Sequence, residues 1–249
     1  MSEYKFYIDT EGNDDNAYVE AMKKASEIAQ ADNSVKRVIL LVNTKTNTGW
    51  FERILGAAAV KKLFTGIKIT GFFPQYKLET KVTFKDHSTD SYVVITCGWD
   101  AGEVSKIDDY YSAKYIIAIP WSKNALDRWV KTWSAVELRG KAINHFSTVT
   151  CIVKTAFERL TTAVNLASGL THPSDVELAK TYILALYTYE PTLDKDAICG
   201  YLISSLGWES DEVKLIKGYM DTLTNGKSLR GAKKGEIKYF YDQWKEACK

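Results

Sequence analysis

Proline is scarce in this chain, 4 among 249 residues, which argues against long disordered linkers. Neither sign of charge dominates. Lys and Arg number 33 and Asp and Glu 31, a net charge of +2. No global field therefore recruits nucleic acid or an anionic membrane, although a local patch can. Long apolar runs are missing too, and none approaches the roughly 20 residues that span a bilayer. The N-terminus enters Tyr4-Lys5-Phe6-Tyr7-Ile8-Asp9 without the layout of a signal peptide. Cys97, Cys151, Cys199 and Cys248 lie far apart with no CxxC pair. With no secretion signal, they are expected as free thiols in a cytoplasmic protein.

Several chemical signatures are also lacking. His87, His145 and His172 are scattered, none with a second His or Cys at ligand spacing, which argues against zinc. No GxGxxG follows the first strand and no GxxxxGK[ST] occurs, so the standard dinucleotide and P-loop fingerprints are absent. No GxSxG elbow supports a Ser-His-Asp arrangement.

What the chain does have is a 45% hydrophobic composition, ample for a core, and a recurring rhythm. Arg37–Val42, Tyr92–Thr96 and Tyr115–Ile119 are apolar runs that end at polar turns marked by Gly or Trp and lead into helical patterns. Such runs read as parallel strands buried on both faces, each feeding a crossover helix. The expected fold is α/β, a Rossmann-like mostly parallel sheet with a hairpin or antiparallel edge, followed by an all-helical C-terminal region.

Strands are expected at 5–9, from about 36 to 42, at 67–73, and at 114–119. A hairpin is expected from 81–85 and 92–95 around the turn-prone residues 86–90. Helices are expected over about 17–29, 49–64, 101–111 and 124–138, with Ser122 as N-cap of the last. From residue 143 the pattern is helical: 144–168 as one helix or two, then 173–189, 194–206, 210–225 and 234–248. The expected division is 1–140 and 141–249, unless the helices pack on the sheet to complete one domain.

In open α/β sheets ligands sit beyond the carboxyl ends of the strands, so the turns there are the candidate site. The first is acidic, with Asp9, Glu11, Asp14 and Asp15. Carboxylates suit a divalent metal, and one alone suits a ribose hydroxyl. More plainly, acids complement a helix N-terminus, with Asp14 or Asn13 as cap. The second turn offers Thr44, Lys45, Thr46 and Gly49 ahead of a helix, the donors and charge that an anion needs. The plainer reading is a surface loop with Thr48 as N-cap. Trp99 and Trp121 each follow a buried-type strand, where an indole can stack a flat ligand or simply pack. Gly98 allows a tight turn, and Asp100 and Ser122 offer polar partners. Cys97 sits ahead of a helix, where a thiol is activated unless it is buried.

The expected site brings Lys45, Trp99 and Trp121 around one hollow. The leading functional expectation is a cytosolic binding or regulatory protein that holds a nucleotide-like anionic ligand there, with the helical region as partner, dimer or effector module. The rivals are a metal-dependent hydrolase or nuclease using Asp9, Glu11 and Asp100, and an interaction protein with no small ligand. No cofactor is specified. Lys227, Arg230, Lys233, Lys234 and Lys238 form a basic stretch that could touch nucleic-acid phosphates. The mixed charge and helical spacing of Tyr239, Phe240 and Trp244 favour packing instead. Aromatics at 12% leave room for a homo-oligomer interface.

The order of first strand, acidic turn, Ala-rich helix and second strand resembles nucleotide-sensing and pyruvate-kinase C-terminal-like α/β domains. The resemblance spans about the first quarter of the chain and carries no diagnostic motif, so it implies no residue role.

Overall fold

The computed structural model describes residues 4–87, 89–140, 149–190 and 192–249. They fall into two compact units, within Met1–His145 and Phe146–Lys249.

The first unit runs β1 (Lys5–Tyr7), α1 (Asp15–Ala31), β2 (Val35–Val42), α2 (Gly49–Leu55), α3 (Ala57–Leu63), β3 (Ile67–Lys68), β4 (Gln75–Thr80), β5 (Ser91–Cys97), α4 (Ala101–Asp108), β6 (Tyr115–Ile119), α5 (Asp127–Trp133) and β7 (Val136–Glu137). The strands form one seven-stranded sheet in the order β3-β4-β2-β5-β6-β1-β7. Every pairing is parallel except β3 with β4. The expected α/β class with an antiparallel edge therefore holds. The central strands show why: Val38–Val42 and Tyr92–Cys97 are buried throughout, as strands covered on both faces must be.

Each face has its own apolar layer. Ala17, Ala21, Met22 and Ala25 of α1 pack with Val38, Leu40, Val93 and Ile117, joined by Phe51 and Val60 from α2 and α3. The alanines let α1 lie close to the sheet. On the opposite face, Val104 of α4 and Trp129 of α5 pack on Ile39, Leu41, Val94 and Ile116. A chain that moves one way across the sheet on one face and back on the other keeps a single crossover hand.

Several boundaries differ from expectation. The helix over 49–64 breaks at Gly56, whose φ of 83° lies outside the helical region. The strand over 67–73 shrinks to β3. The hairpin of 81–85 with 92–95 does not form. Residues 81–83 instead turn, with Phe84 N–H donating to Thr80 O at 2.8 Å and Thr80 and Thr83 sharing their hydroxyls, which takes groups a strand would need. The antiparallel partner is β3, and β5 runs parallel to β2. Ser88, in the expected turn, lies outside the described residues. The helix over 124–138 is only α5, because Asn124 and Ser134 adopt φ of 62° and 48°. Its N-cap is Leu126, not Ser122. Val136-Glu137 then pairs with β1 instead of continuing the helix.

The second unit is helical: α6 (Cys151–Ala163), a 3-10 turn at Leu166–Ser168, α7 (Pro173–Tyr189), α8 (Lys195–Leu206), α9 (Ser210–Thr224) and α10 (Ile237–Ala247). The start of the helix expected over 144–168, including His145, lies outside the described residues. Within them Thr150 caps α6. Phe157, Leu160, Ile183, Leu202, Ile216 and Trp244 fill a common core. Trp208 is buried in it while its indole donates to Thr161 Oγ1 at 2.8 Å.

Two of the four cysteines overturn the expectation of free thiols. Cys151 and Cys248, 97 residues apart, are joined by a disulfide with a Cα separation of 5.9 Å. It ties the first turn of α6 to the end of α10, two places that only the fold brings together. Cys97 and Cys199 are free and buried. Disulfides persist in oxidising surroundings, whereas the expectation is of thiols in reducing ones. Among the described residues no helix is long and apolar enough to cross a membrane.

Candidate functional site at the carboxyl edge of the sheet

The helices that follow β1 and β2 pack on one face, and those that follow β5 and β6 on the other. The chain direction therefore reverses between β2 and β5, and again between β6 and β1. Such switch points open crevices beyond the strand ends.

At the β6–β1 switch point lies a cleft of about 300 Å³, the lower end of the range for small-ligand sites. Tyr7 and Asp9 come from the end of β1, and Asn124 from the loop after β6. Asp127 and Lys131 lie one helical turn apart on α5, and Leu126 and Val130 give an apolar wall. Glu137 on β7 joins from the other side of β1, where its Oε1 accepts from Asp9 N–H at 3.1 Å. Burial pushes the Tyr7 phenol up, and the charges of Glu137, Asp9 and Asp127 push it further. The phenol thus stays protonated in the field of three carboxylates. The cleft is electronegative, with the ammonium of Lys131 at its wall.

Two other acids of the first turn, Asp14 and Asp15, are engaged. Asp14 caps α1 by accepting from Ala17 N–H, takes the hydroxyl of Thr10 at 2.8 Å and meets Arg139 Nη1 at 2.5 Å. Hydrogen bonding from Arg139 is the largest cause that brings its carboxyl down to about 2. Asp15 pairs with Arg53 at 2.6 Å. Glu11 is exposed and does not line the cleft. Asp100 is the N-cap of α4, in a capping box with Glu103. Asp9, Glu11 and Asp100 therefore do not converge. Among the described residues no group of three or more His, Cys, Asp or Glu could hold a metal ion.

The expected anion pole is exposed and satisfies itself. Thr44 Oγ1 bonds Thr46 Oγ1 at 2.9 Å and also reaches Asn47 Oδ1, while Thr48 Oγ1 bonds Glu52 at 3.0 Å. Lys45 projects from this loop, and Gly49 begins the seven-residue α2.

The hollow shared by Lys45, Trp99 and Trp121 does not form. Trp99 is 2% exposed and belongs to the core beneath α4 and α5. Gly98 causes this. Its φ of 74° reverses the chain, and its N–H donates to Ile119 O at 2.7 Å, so the next side chain turns inward. Cys97 is buried as well, and burial pushes its thiol up, the opposite of activation. Trp121 is 47% exposed and stays on the rim. Its ring lies 6.2 Å from that of Trp50, beside Gly98. Its carbonyl accepts from Gly12 N–H at 2.8 Å, which ties the loops after β6 and β1 together. Ser122 is exposed on the same loop.

Sequence reasoning found Asp9 and missed Tyr7, Asn124, Asp127, Lys131 and Glu137. The available signal was the Asp127–Lys131 spacing, which puts a carboxylate and an ammonium on one helix face.

In the helical unit the basic stretch is partly engaged. Lys233 bridges Glu177 at 2.8 Å, and Trp244 is fully buried against Tyr182. Residues 149–245 match a family described as a domain of unknown function, DUF1889. No curated protein and no solved structure matches the chain.

Proposed function

We propose that the sheet unit is a binding or regulatory module that holds a hydroxyl-rich ligand of the nucleoside or nucleotide kind in the β6–β1 cleft. The observation that carries this reading is a polar, partly apolar-walled cleft at a topological switch point, lined by Tyr7, Asp9 and Asp127 with Lys131 at its wall. Carboxylates accept from ligand hydroxyls and amines. They repel a phosphate, which must lie toward Lys131. The ligand's base or other flat part packs on Leu126 and Val130. In this reading the helical unit serves as the partner or effector module. Tyr187, Tyr189 and Tyr239 on its surface are the kind of side chain that interfaces favour.

A thermal-shift panel of nucleosides and their 5′-phosphates, with and without Mg²⁺, tests this reading. Nucleosides are expected to stabilise the protein more than their phosphates do. Asp127→Asn should weaken the best ligand by about tenfold or more, since a hydrogen bond to a charged group is worth about 1.5–3 kcal/mol. An unresponsive panel, or an Asp127→Asn protein that binds as well as the parent, would sink the reading.

A further inference from the structure

The second face of the sheet is unevenly covered. α4 and α5 follow β5 and β6 and pack over that end. Over β2 and β4, among the described residues, the segment 81–87 supplies the cover, with Phe84 as its buried plug. β4 accordingly alternates: Tyr76 and Leu78 are buried on the first face, while Lys77 and Glu79 are half-buried. Arg37 pairs in register with Tyr92, and Ile39 with Lys77. Together with Lys85 and His87 of the covering segment, these side chains line a hollow of about 60 Å³.

The charges in this hollow do not cancel. Lys77 is neutralised by Glu79 at 2.6 Å, but Arg37 has no such partner among the described residues. Its guanidinium lies 5.9 Å from the centre of the Tyr92 ring. Its Nε is buried and has no hydrogen-bond partner among the described residues, a group that is costly to leave unsatisfied. The nearby acids Asp86 and Asp90 do not line the hollow. Asp90 takes the hydroxyl of Tyr92 at 2.7 Å. Asp86 takes the backbone N–H groups of His87, Tyr111 and Ser112, and so ties the segment carrying Lys85 and His87 to residues 111–112. Lys85 and His87 are left exposed at the mouth.

We propose that this hollow is a binding site for a single oxyanion group, either free phosphate or the phosphate end of a monoester. The planar Arg37 fork, held against an aromatic ring, is the donor that such oxygens match. Lys85 and His87 close over the anion from the loop side. The hollow holds about two waters' worth of volume, which suits one phosphate group and leaves the rest of an ester in solvent. The site lies on a face of the sheet, is built from other residues than the carboxyl-edge cleft, and does not rest on the function proposed for that cleft.

The test is a titration of the full chain with inorganic phosphate and with phenyl phosphate, against chloride at matched ionic strength, followed by NMR of the Arg37 Nε–H and the His87 ring. Saturable shifts are expected with a phosphate but not with chloride. Arg37→Gln should weaken binding by about tenfold, the low end for a charge-assisted pair, and Lys85→Gln by less. Tighter binding of inorganic phosphate assigns the free ion, and tighter binding of phenyl phosphate assigns the ester. Shifts that fail to saturate or that chloride reproduces would overturn the site, as would unchanged affinity in Lys85→Gln and Arg37→Gln. Lys85 is on an exposed segment, so its variant decides the matter if Arg37→Gln does not fold.

Discussion

In the sheet unit two apolar layers clamp a largely parallel sheet, and the polar groups inside are held by geometry alone. Lys5 and Asp108 pair at 2.7 Å with side chains 10% and 2% exposed, and Asp108 also accepts from the indoles of Trp129 and Trp133. In the helical unit one apolar cluster does most of the work, and a covalent bond joins its first and last helices. The difference teaches where each unit can carry polar chemistry. Strand ends and an unevenly covered sheet face leave unsatisfied or strongly charged groups in concave places. The helical cluster keeps most of its charges on the outside, where they pair with one another, as Lys195 does with Asp221 and Lys217 with Asp196; Glu212, at 5% exposure, is the exception among the described residues.

The sharpest way to break this comparison is to cut the covalent tie. Closing a loop of about 100 residues is worth about 4.7 kcal/mol in the chain-entropy account. Reduction, or Cys248→Ser, should therefore cost the helical unit most of that amount. Hydrogen exchange in urea should show protection falling across α6 to α10 and unchanged in β2 and β5. If reduction leaves the helices as protected as before, the helical core suffices without its bond, and the contrast with the sheet unit fails.

The buried pair comes next. Burial pushes the Asp108 carboxyl up despite the nearby Lys5, so the pair has little margin. Asp108→Asn should cost the sheet unit about 3 kcal/mol, because it leaves Lys5 buried without its counter-charge. Replacing both groups with apolar residues, Lys5→Met with Asp108→Leu, should restore much of that loss in equilibrium unfolding. A double variant as unstable as the single one would mean that the two indole bonds, not the charge, are what Asp108 supplies.

Much of the sheet was readable because its central strands are buried on both faces, and continuous apolar runs such as Val38–Val42 mark that condition without help from the rest of the chain. The edge was not. β4 mixes Lys77 and Glu79 with Tyr76 and Leu78, and a short alternating run resembles a loop until a neighbour strand is known. The fate of Trp99 turns on the φ of Gly98, which no pattern of hydrophobicity records. The cleft was legible only at Asp9. Apart from Tyr7 on the same segment, its other members lie more than 100 residues further along the chain, and they meet because β1 inserts between β6 and β7, an order that local periodicity does not encode. The disulfide was hidden for the same reason: two distant cysteines acquire a partner only once α6 and α10 lie side by side.

The mildest perturbation bears on how the cleft is braced. Arg139 follows β7 and forks onto Asp14 and Glu20 of the opposite loop and helix, with Nε to Glu20 at 2.7 Å. Glu137, two residues earlier, is one wall of the cleft's charge. The Asp14 carboxyl falls to about 2 in the folded protein, against about 3.9 in an unfolded chain. A depressed acid stabilises the fold above its unfolded value and loses that contribution as pH drops through its folded value. The stabilisation from Asp14 is therefore complete above about pH 4 and fades toward pH 2. The pair is partly exposed, so its worth stays near the 0.5 kcal/mol of surface ion pairs. In Arg139→Gln the acid limb of stability against pH should flatten between these values, and Glu20→Gln should leave most of it. If Arg139→Gln keeps the parent's slope, the cap N–H of Ala17 and the Thr10 hydroxyl hold the carboxylate on their own. The loop after β1 would then be braced from within its own helix, and Glu137 would have to hold its place in the cleft through the β1–β7 pairing alone.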